Sequence, residues 1–509
     1  VETAIKTESG KRIIENGRWK TNVTFHSSFF HFPFLTNMKQ LSSSLVLLLV
    51  VAVVGGWIYF NERGPIADAG STVLLRTDPA RINTISLQRP DGKRVVLTRQ
   101  EDNWRVQQQG VHPVAVPADG DVVKSLLDAT QLIASAALVK NSTPEAANEF
   151  GLTHPQSTLI VDDAKIEFGT KPSFDAGKVY ARVTSRQTKG APGGVQVALV
   201  SAMLADFPSK PFDDWRDKSI LRIKPIEVSQ LKVHAPVVNA SFERTALGGE
   251  NELDKWKVTT PVAASADAGT IVTLLQELQS TKSVKFLEDN PQDSARWGLT
   301  KPWIALDLMT DGGARSLKIG KKVSGGRAAQ NSFSNAVFVV PDTLLPVINR
   351  PLRDWRDRAF LKFDKSQIET VQVTARGRSA TFENVPSNTQ TPWKRTDAGA
   401  AATSPKIASQ NMLDVSLGLD GLKAQDFIDA PSAPNAYGFD RPTLEINLTS
   451  SEWNGIKKLQ LGEKDGKMYA RIGDGNQFDA PVYEVATSTL NGFVPALDSL
   501  FPQPVKKKM

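Results

Sequence analysis

Two tetrapeptides carry the side chains best spaced for chemistry, Asp214-Trp215-Arg216-Asp217 and Asp354-Trp355-Arg356-Asp357. On a helix, carboxylates three residues apart share a face. Two carboxyls about 5 Å apart beside an aromatic platform are the parts of a retaining glycosidase. The competing reading is structural: each Trp closes the base of a unit while the Arg neutralises its flanking carboxylates. Position favours the structural reading. Each tetrapeptide stands just before the chain starts to repeat itself, and none follows the third repeat. A catalytic pair has no reason to recur at every boundary, so Trp215, Arg216, Asp217, Trp355, Arg356 and Asp357 are expected to be junction residues.

Other chemistries find fewer parts. The five histidines (His26, His31, His112, His154 and His234) stand singly, with no His or Glu at metal-ligand spacing. The absence of cysteine excludes disulfides, thiolate catalysis and Cys-based metal sites. No Gly-x-Ser-x-Gly elbow is present. Gly320-Lys321-Lys322 and Ser324-Gly325-Gly326-Arg327 lack the residue order of a phosphate loop and read as a basic surface hairpin. The net charge of +7 is spread along 509 residues, with a single basic run at Lys506-Lys507-Lys508. A nucleic-acid binder concentrates its charge on one face, so no nucleic-acid partner is expected. The expectation is a non-enzyme with no catalytic, cofactor or metal residue and no cofactor.

The elements that position these residues repeat. An apolar trio recurs as Ile82, Ile85 and Leu87, as Val228, Leu231 and Val233, and as Ile368, Val371 and Val373, with strand-like alternation of its last two members. A strand tryptophan follows in each copy: Trp104, Trp256 and Trp393. Helices are predicted next. Val122, Val123, Leu126, Leu127 and Ile133 follow Asp119; Ile271, Leu274, Leu275 and Leu278 follow Asp267; Met412, Val415 and Leu419 follow Ser404 and Pro405 as N-cap and first-turn residues. An aromatic-Gly-apolar-x-x-Pro turn comes after each helix, with Gly151 and Pro155, Gly298 and Pro302, and Gly438 and Pro442. It leads into strands at Thr158 to Val161, Ile304 to Leu308 and Leu444 to Leu448, and a further strand ends at Phe168-Gly169, Ile319-Gly320 or Leu461-Gly462. The turn glycines are 147 and 140 residues apart. With 40% hydrophobic and 23% charged residues, a globular chain of this length suggests about three domains.

Leu41 to Phe60 contains no charged residue, and eleven of the residues from Leu45 onward are Leu, Val, Ile or Phe. As a helix it would reach about 30 Å, the thickness of a bilayer's apolar core. Those eleven favour insertion by about 3 to 6 kcal/mol. The expected layout is a tail or over-extended start at 1–37 with Met38 as the natural first residue, a signal anchor at 38–63, a linker at 64–78, and repeats at 79–222, 223–363 and 364–509. Intact-mass measurement on the native protein checks the position of the start.

The anchor, the strand pair, Trp104-Arg105-Val106, the helix, the aromatic-Gly turn, Leu461-Gly462 and Tyr180-Ala181-Arg182 with its copy Tyr469-Ala470-Arg471 together resemble the bacterial family called domain of unknown function 4340, from Met38 to Phe501. The second copy departs from the pattern, with no Tyr-Ala-Arg near Ala328. The resemblance implies a single-pass envelope protein, with an accessory or scaffolding role beside ABC-type export or gliding-type transport components. It brings no catalytic residues.

The fold expectation is α+β: one N-terminal transmembrane helix, then three tandem α+β repeats of about 140–150 residues, each a small sheet with a packed helix. The expected protein is non-enzymatic, anchored in the inner membrane with its C-terminal part periplasmic, and partnered by ABC-type transporter subunits. A module for cell-wall glycan, using Trp303, Trp453 or the repeat tyrosines, is the alternative. An envelope glycoside hydrolase using the Asp pairs is the third reading.

Overall fold

The computed structural model describes residues 78–501, apart from 132–136, 140–145, 186–193, 248–254, 362–363, 398–402 and the single positions 388, 452, 476 and 479. The chain divides into two compact units, Val1–Thr72 and Val73–Met509, and all described residues lie in the second.

That unit is built from three antiparallel sheets of nine strands each. In copy one the spatial order is His112–Pro117, Asn103–Gln108, Arg94–Gln100, Thr84–Gln88, Ser157–Val161, Ala164–Phe168, Lys178–Ser185, Gly194–Ser201 and Ala137–Leu138. Two four-stranded meanders therefore meet at the sheet centre, separated in sequence by helix α1 (Gly120–Gln131). Copy two repeats this order around α2 (Ala268–Ser280); copy three keeps it around α3 (Pro405–Asp420) with three strands in its first half, no described counterpart of His112–Pro117, and a short extra strand, Gln477–Phe478, beside Lys467–Asp474.

The seam between meanders explains the repeated trio. Ile85 pairs with Val161 and Leu87 with Leu159; Leu231 pairs with Leu308 and Val233 with Leu306; Val371 pairs with Leu448 and Val373 with Ile446. All are buried, so the central pair of each sheet is apolar on the face that the helix covers. Along Val228–Ala235 buried residues alternate with exposed or half-exposed ones, which leaves the opposite face to water. The helices form where the stripe and caps place them. Ile271, Leu274, Leu275 and Leu278 are buried, the Asp267 carboxylate accepts from Thr270 N at 2.6 Å, and the Ser404 hydroxyl accepts from Ile407 N.

The α+β expectation, with its transmembrane helix and small sheets, is corrected. The fold is mostly β, each unit being one large antiparallel sheet carrying one long helix. Some of the extra strands escape period-2 reading because small or polar residues fill them. Gly326–Asn331, GRAAQN, is buried at Gly326, Ala328, Ala329 and Asn331 without a single large apolar side chain. Among the described residues no helix is long and apolar enough to cross a membrane. The stretch Leu41 to Phe60 lies outside the described residues.

Candidate functional site at the copy junctions

The chain enters the first junction through a single 3-10 turn, Phe212–Trp215, with Pro211 ahead of it. The Trp215 side chain is fully buried in the first core, its ring 6.0 Å from that of Phe207. The Trp215 carbonyl accepts from Asp119 N at the start of α1, and Asp217 N donates to Pro117 O at 3.0 Å. Copy two repeats each contact. Trp355 is fully buried 5.2 Å from Phe242, its carbonyl accepts from Asp267 N, and Asp357 N donates to Ser265 O. The backbone of each tetrapeptide thus ties down the end of its own sheet, with bridges Ala118 to Arg216 and Ala266 to Arg356.

The arginine points the other way. Arg216, 3% exposed, donates to the Asp289 carboxylate of copy two and lies 3.4 Å over the Phe286 ring. Arg356, 4% exposed, donates to both Asp429 oxygens of copy three at 2.8 and 2.9 Å and lies 3.8 Å over Phe427. The acceptor stands 73 residues downstream in both cases. A planar guanidinium suits this combination of carboxylate and aromatic face, which an ammonium would match poorly. Trp therefore locks its own copy while Arg engages the next, with Arg216 also donating to Asp213 of its own copy at 3.3 Å. The recurrence of Phe286 and Asp289 as Phe427 and Asp429, after the helix of each receiving copy, was the sequence signal for this acceptor.

The carboxylates of the tetrapeptides have structural partners. Asp214 pairs with Lys218 at 2.7 Å, and Asp217 accepts from Ser219 N and Arg222. Asp354 pairs with Arg358 at 2.7 Å, and Asp357 accepts from Ala359 N. The shared helical face needed for an acid pair does not form. The 3-10 turn ends at Trp215, and Arg216 is extended at φ −83° and ψ 145°.

Residues 109–254 and 256–442, more than half of the chain, match the family described as Domain of unknown function (DUF4340). The chain belongs to that family. No curated protein matches it. Among solved structures, the DNA polymerase III subunit beta from Pseudomonas aeruginosa is 11% identical, covering 82% of this chain and 94% of its own, with a TM-score of 0.13. A DNA polymerase sliding clamp from the same organism is 9% identical over 81% and 93%, with a TM-score of 0.12. Likenesses at these scores carry no argument.

The remaining repeat residues of this DUF4340 chain serve its sheets. Gly151, Gly298 and Gly438 have φ of +67°, +71° and +76°, and Pro155, Pro302 and Pro442 are half-buried just beyond them. The strands expected to end at Gly320 and Gly462 run on to Val323 and Lys464, and only Ala164–Phe168 stops before its Gly169; sequence reading also missed that each turn packs on that glycine. A Cβ on Gly169, Gly320 or Gly462 would sit 2.0, 2.2 or 2.3 Å from the carbonyl oxygen of Phe150, Trp297 or Tyr437. Trp256 is buried in its copy, whereas Trp104 and Trp393 are half-buried against theirs. Trp303 has the Arg327 guanidinium 3.7 Å over its ring, and Trp453 packs against the third core, so neither offers a free sugar platform. Lys322 and Arg327 pair across the basic hairpin. His154 and His234 are exposed in separate elements.

Tyr180 and Tyr469 pack on the turn aromatics Phe150 and Tyr437, with ring centroids 4.3 and 5.2 Å apart. Pairing of Ala181 with Phe168, Ala329 with Ile319 and Ala470 with Leu461 places Ala328 at the Tyr position and Gln330 at the Arg position of copy two. Arg182 and Lys165 each donate to buried Glu167 at 2.6 Å. Burial pushes the Glu167 carboxyl up, but the hydrogen bonds and charges of Arg182 and Lys165 outweigh it and hold the group below the usual glutamate value. A carboxyl that titrates lower when folded adds stability above its unfolded pKa, about 4.3, and loses it as pH falls through the folded value. Urea unfolding should find Glu167→Gln less stable than wild type at pH 7. The gap should narrow steadily below about pH 4.3, and a gap independent of pH would contradict the pairing.

Proposed function

We propose that the protein is a non-enzymatic accessory of the cell envelope that docks onto an integral-membrane transporter of the ABC-export or gliding-transport kind. The observation that carries this reading is the outer face of α3. Leu413 and Leu417, one helical turn apart, are 53% and 59% exposed. Beside them runs a groove of about 520 Å³ bordered by Trp393, Met412, Val415 and Leu419. Neither α1 nor α2 exposes a large apolar side chain, so this face is particular to copy three. Apolar side chains grouped beside a groove favour a protein partner that covers them. The engagement of Asp214, Asp217, Asp354 and Asp357 in structural pairs supports a non-catalytic role. The uncharged stretch Leu41 to Phe60 supports an envelope location.

Photo-crosslinking in cells from positions 413 and 417 tests the reading. A transporter subunit should be captured from both positions and lost when the neighbouring leucine is changed to Lys. If a folded, normally expressed protein captures no transporter subunit, the accessory role fails. A reporter fused after Phe501 that is active only outside the cytoplasm checks the location.

A further inference from the structure

The boundary between copies one and two opens a polar cleft of about 770 Å³, within the size range of small-molecule sites. In copy one, Glu101 and Asp102 alone join Arg94–Gln100 to Asn103–Gln108, with Glu101 at φ 53°. Trp104, just beyond this two-residue turn, lines the cleft.

The lining is chemically mixed. Glu101, Asp102 and Asp121 supply acceptors; Arg222, which also pairs with Asp217, and Lys282, which also donates to Ser219 Oγ at 3.0 Å, supply donors; and Trp104 adds an aromatic surface. Interleaved opposite charges give little advantage to a ligand of either net charge. Hydroxyl groups both donate and accept, so they match such a lining. The electron-rich ring face suits the C–H edges of a sugar ring.

We propose that this cleft binds an uncharged oligosaccharide, with Trp104 as the stacking surface and Asp121, Arg222 and Lys282 as its hydroxyl partners. The site lies in copies one and two, away from the α3 face, so its failure and that of the docking role are separable. Calorimetric titration of the full-length protein with cellotetraose, maltotetraose and chitotetraose tests it, with spermidine and polyglutamate as charged comparators. Saturable binding of at least one of the three sugars is expected, weakened at least about tenfold by Trp104→Ala and by Asp121→Asn. Asp121 is exposed, so its variant keeps the test valid where loss of Trp104 disturbs folding. The proposal is overturned if none of the sugars binds up to roughly 10 mM, if sugar binding survives Asp121→Asn unchanged, or if only a charged comparator binds.

Discussion

Gly320→Ala is expected to unfold the second half of copy two's sheet. The added Cβ would lie 2.2 Å from Trp297 O and 3.0 Å from Gly298 C and O, all of them backbone atoms. No side-chain rotation relieves such a contact, so the Trp297-Gly298 turn must move away from the strand Gly313–Val323. Gly169→Ala and Gly462→Ala meet the same obstacle at 2.0 and 2.3 Å. Overpacking costs about 1–3 kcal/mol where side chains can adjust, and an obstruction built from main chain belongs at or above the top of that range. Gly92→Ala and Gly377→Ala are the controls. Both residues have positive φ, +80° and +69°, but nothing lies within 4 Å of the added Cβ, so only the left-handed backbone cost of about 1–2 kcal/mol applies. Hydrogen exchange along Ile304–Thr310 reads the effect locally. Wild-type protection in Gly320→Ala would refute the interlock.

The second large effect belongs to the junctions. Trp215→Ala and Trp355→Ala each remove a fully buried indole, and such truncations cost about 3–5 kcal/mol. Arg216→Ala leaves Asp289 facing the copy boundary without its guanidinium, and Arg356→Ala does the same to Asp429. Breaking a buried pair from one side costs about 3–5 kcal/mol because the remaining charge keeps its desolvation penalty. Asp289 and Asp429 are 23% and 38% exposed, so water lowers the cost at both junctions. Asp214→Asn, by contrast, removes one half of a partly exposed pair with Lys218 and should cost under about 1 kcal/mol. A catalytic Asp pair predicts another order: loss of turnover in Asp214→Asn with stability unchanged. Chemical unfolding of these variants, followed by probes in adjacent copies, separates the two. Loss of coordinated unfolding between neighbouring copies in Arg216→Ala or Arg356→Ala would mark the arginines as the inter-copy link, and unchanged coordination would remove them from that role.

What the sequence determined by itself was everything that a short stretch encodes alone. The apolar trios, the helical stripe of Ile271 to Leu278, the Asp267 and Ser404 caps and the positive-φ glycines each depend on their own neighbours along the chain. Their spacing therefore repeats visibly, and with it the three-copy plan and the place of each Trp-Arg-Asp segment between copies. Tertiary structure alone decided how many strands each copy holds, because strands such as Gly326–Asn331 are buried by their neighbours and not by an apolar pattern of their own. It also decided that Gly320 must have no side chain and that Arg216 reaches Asp289, since those contacts join residues far apart in the chain. The cleft beside Trp104 arises the same way, from residues of two adjoining copies such as Asp121 and Lys282. Periodicity reports which face of an element is apolar; it carries no information about which backbone or charge will be folded against that face.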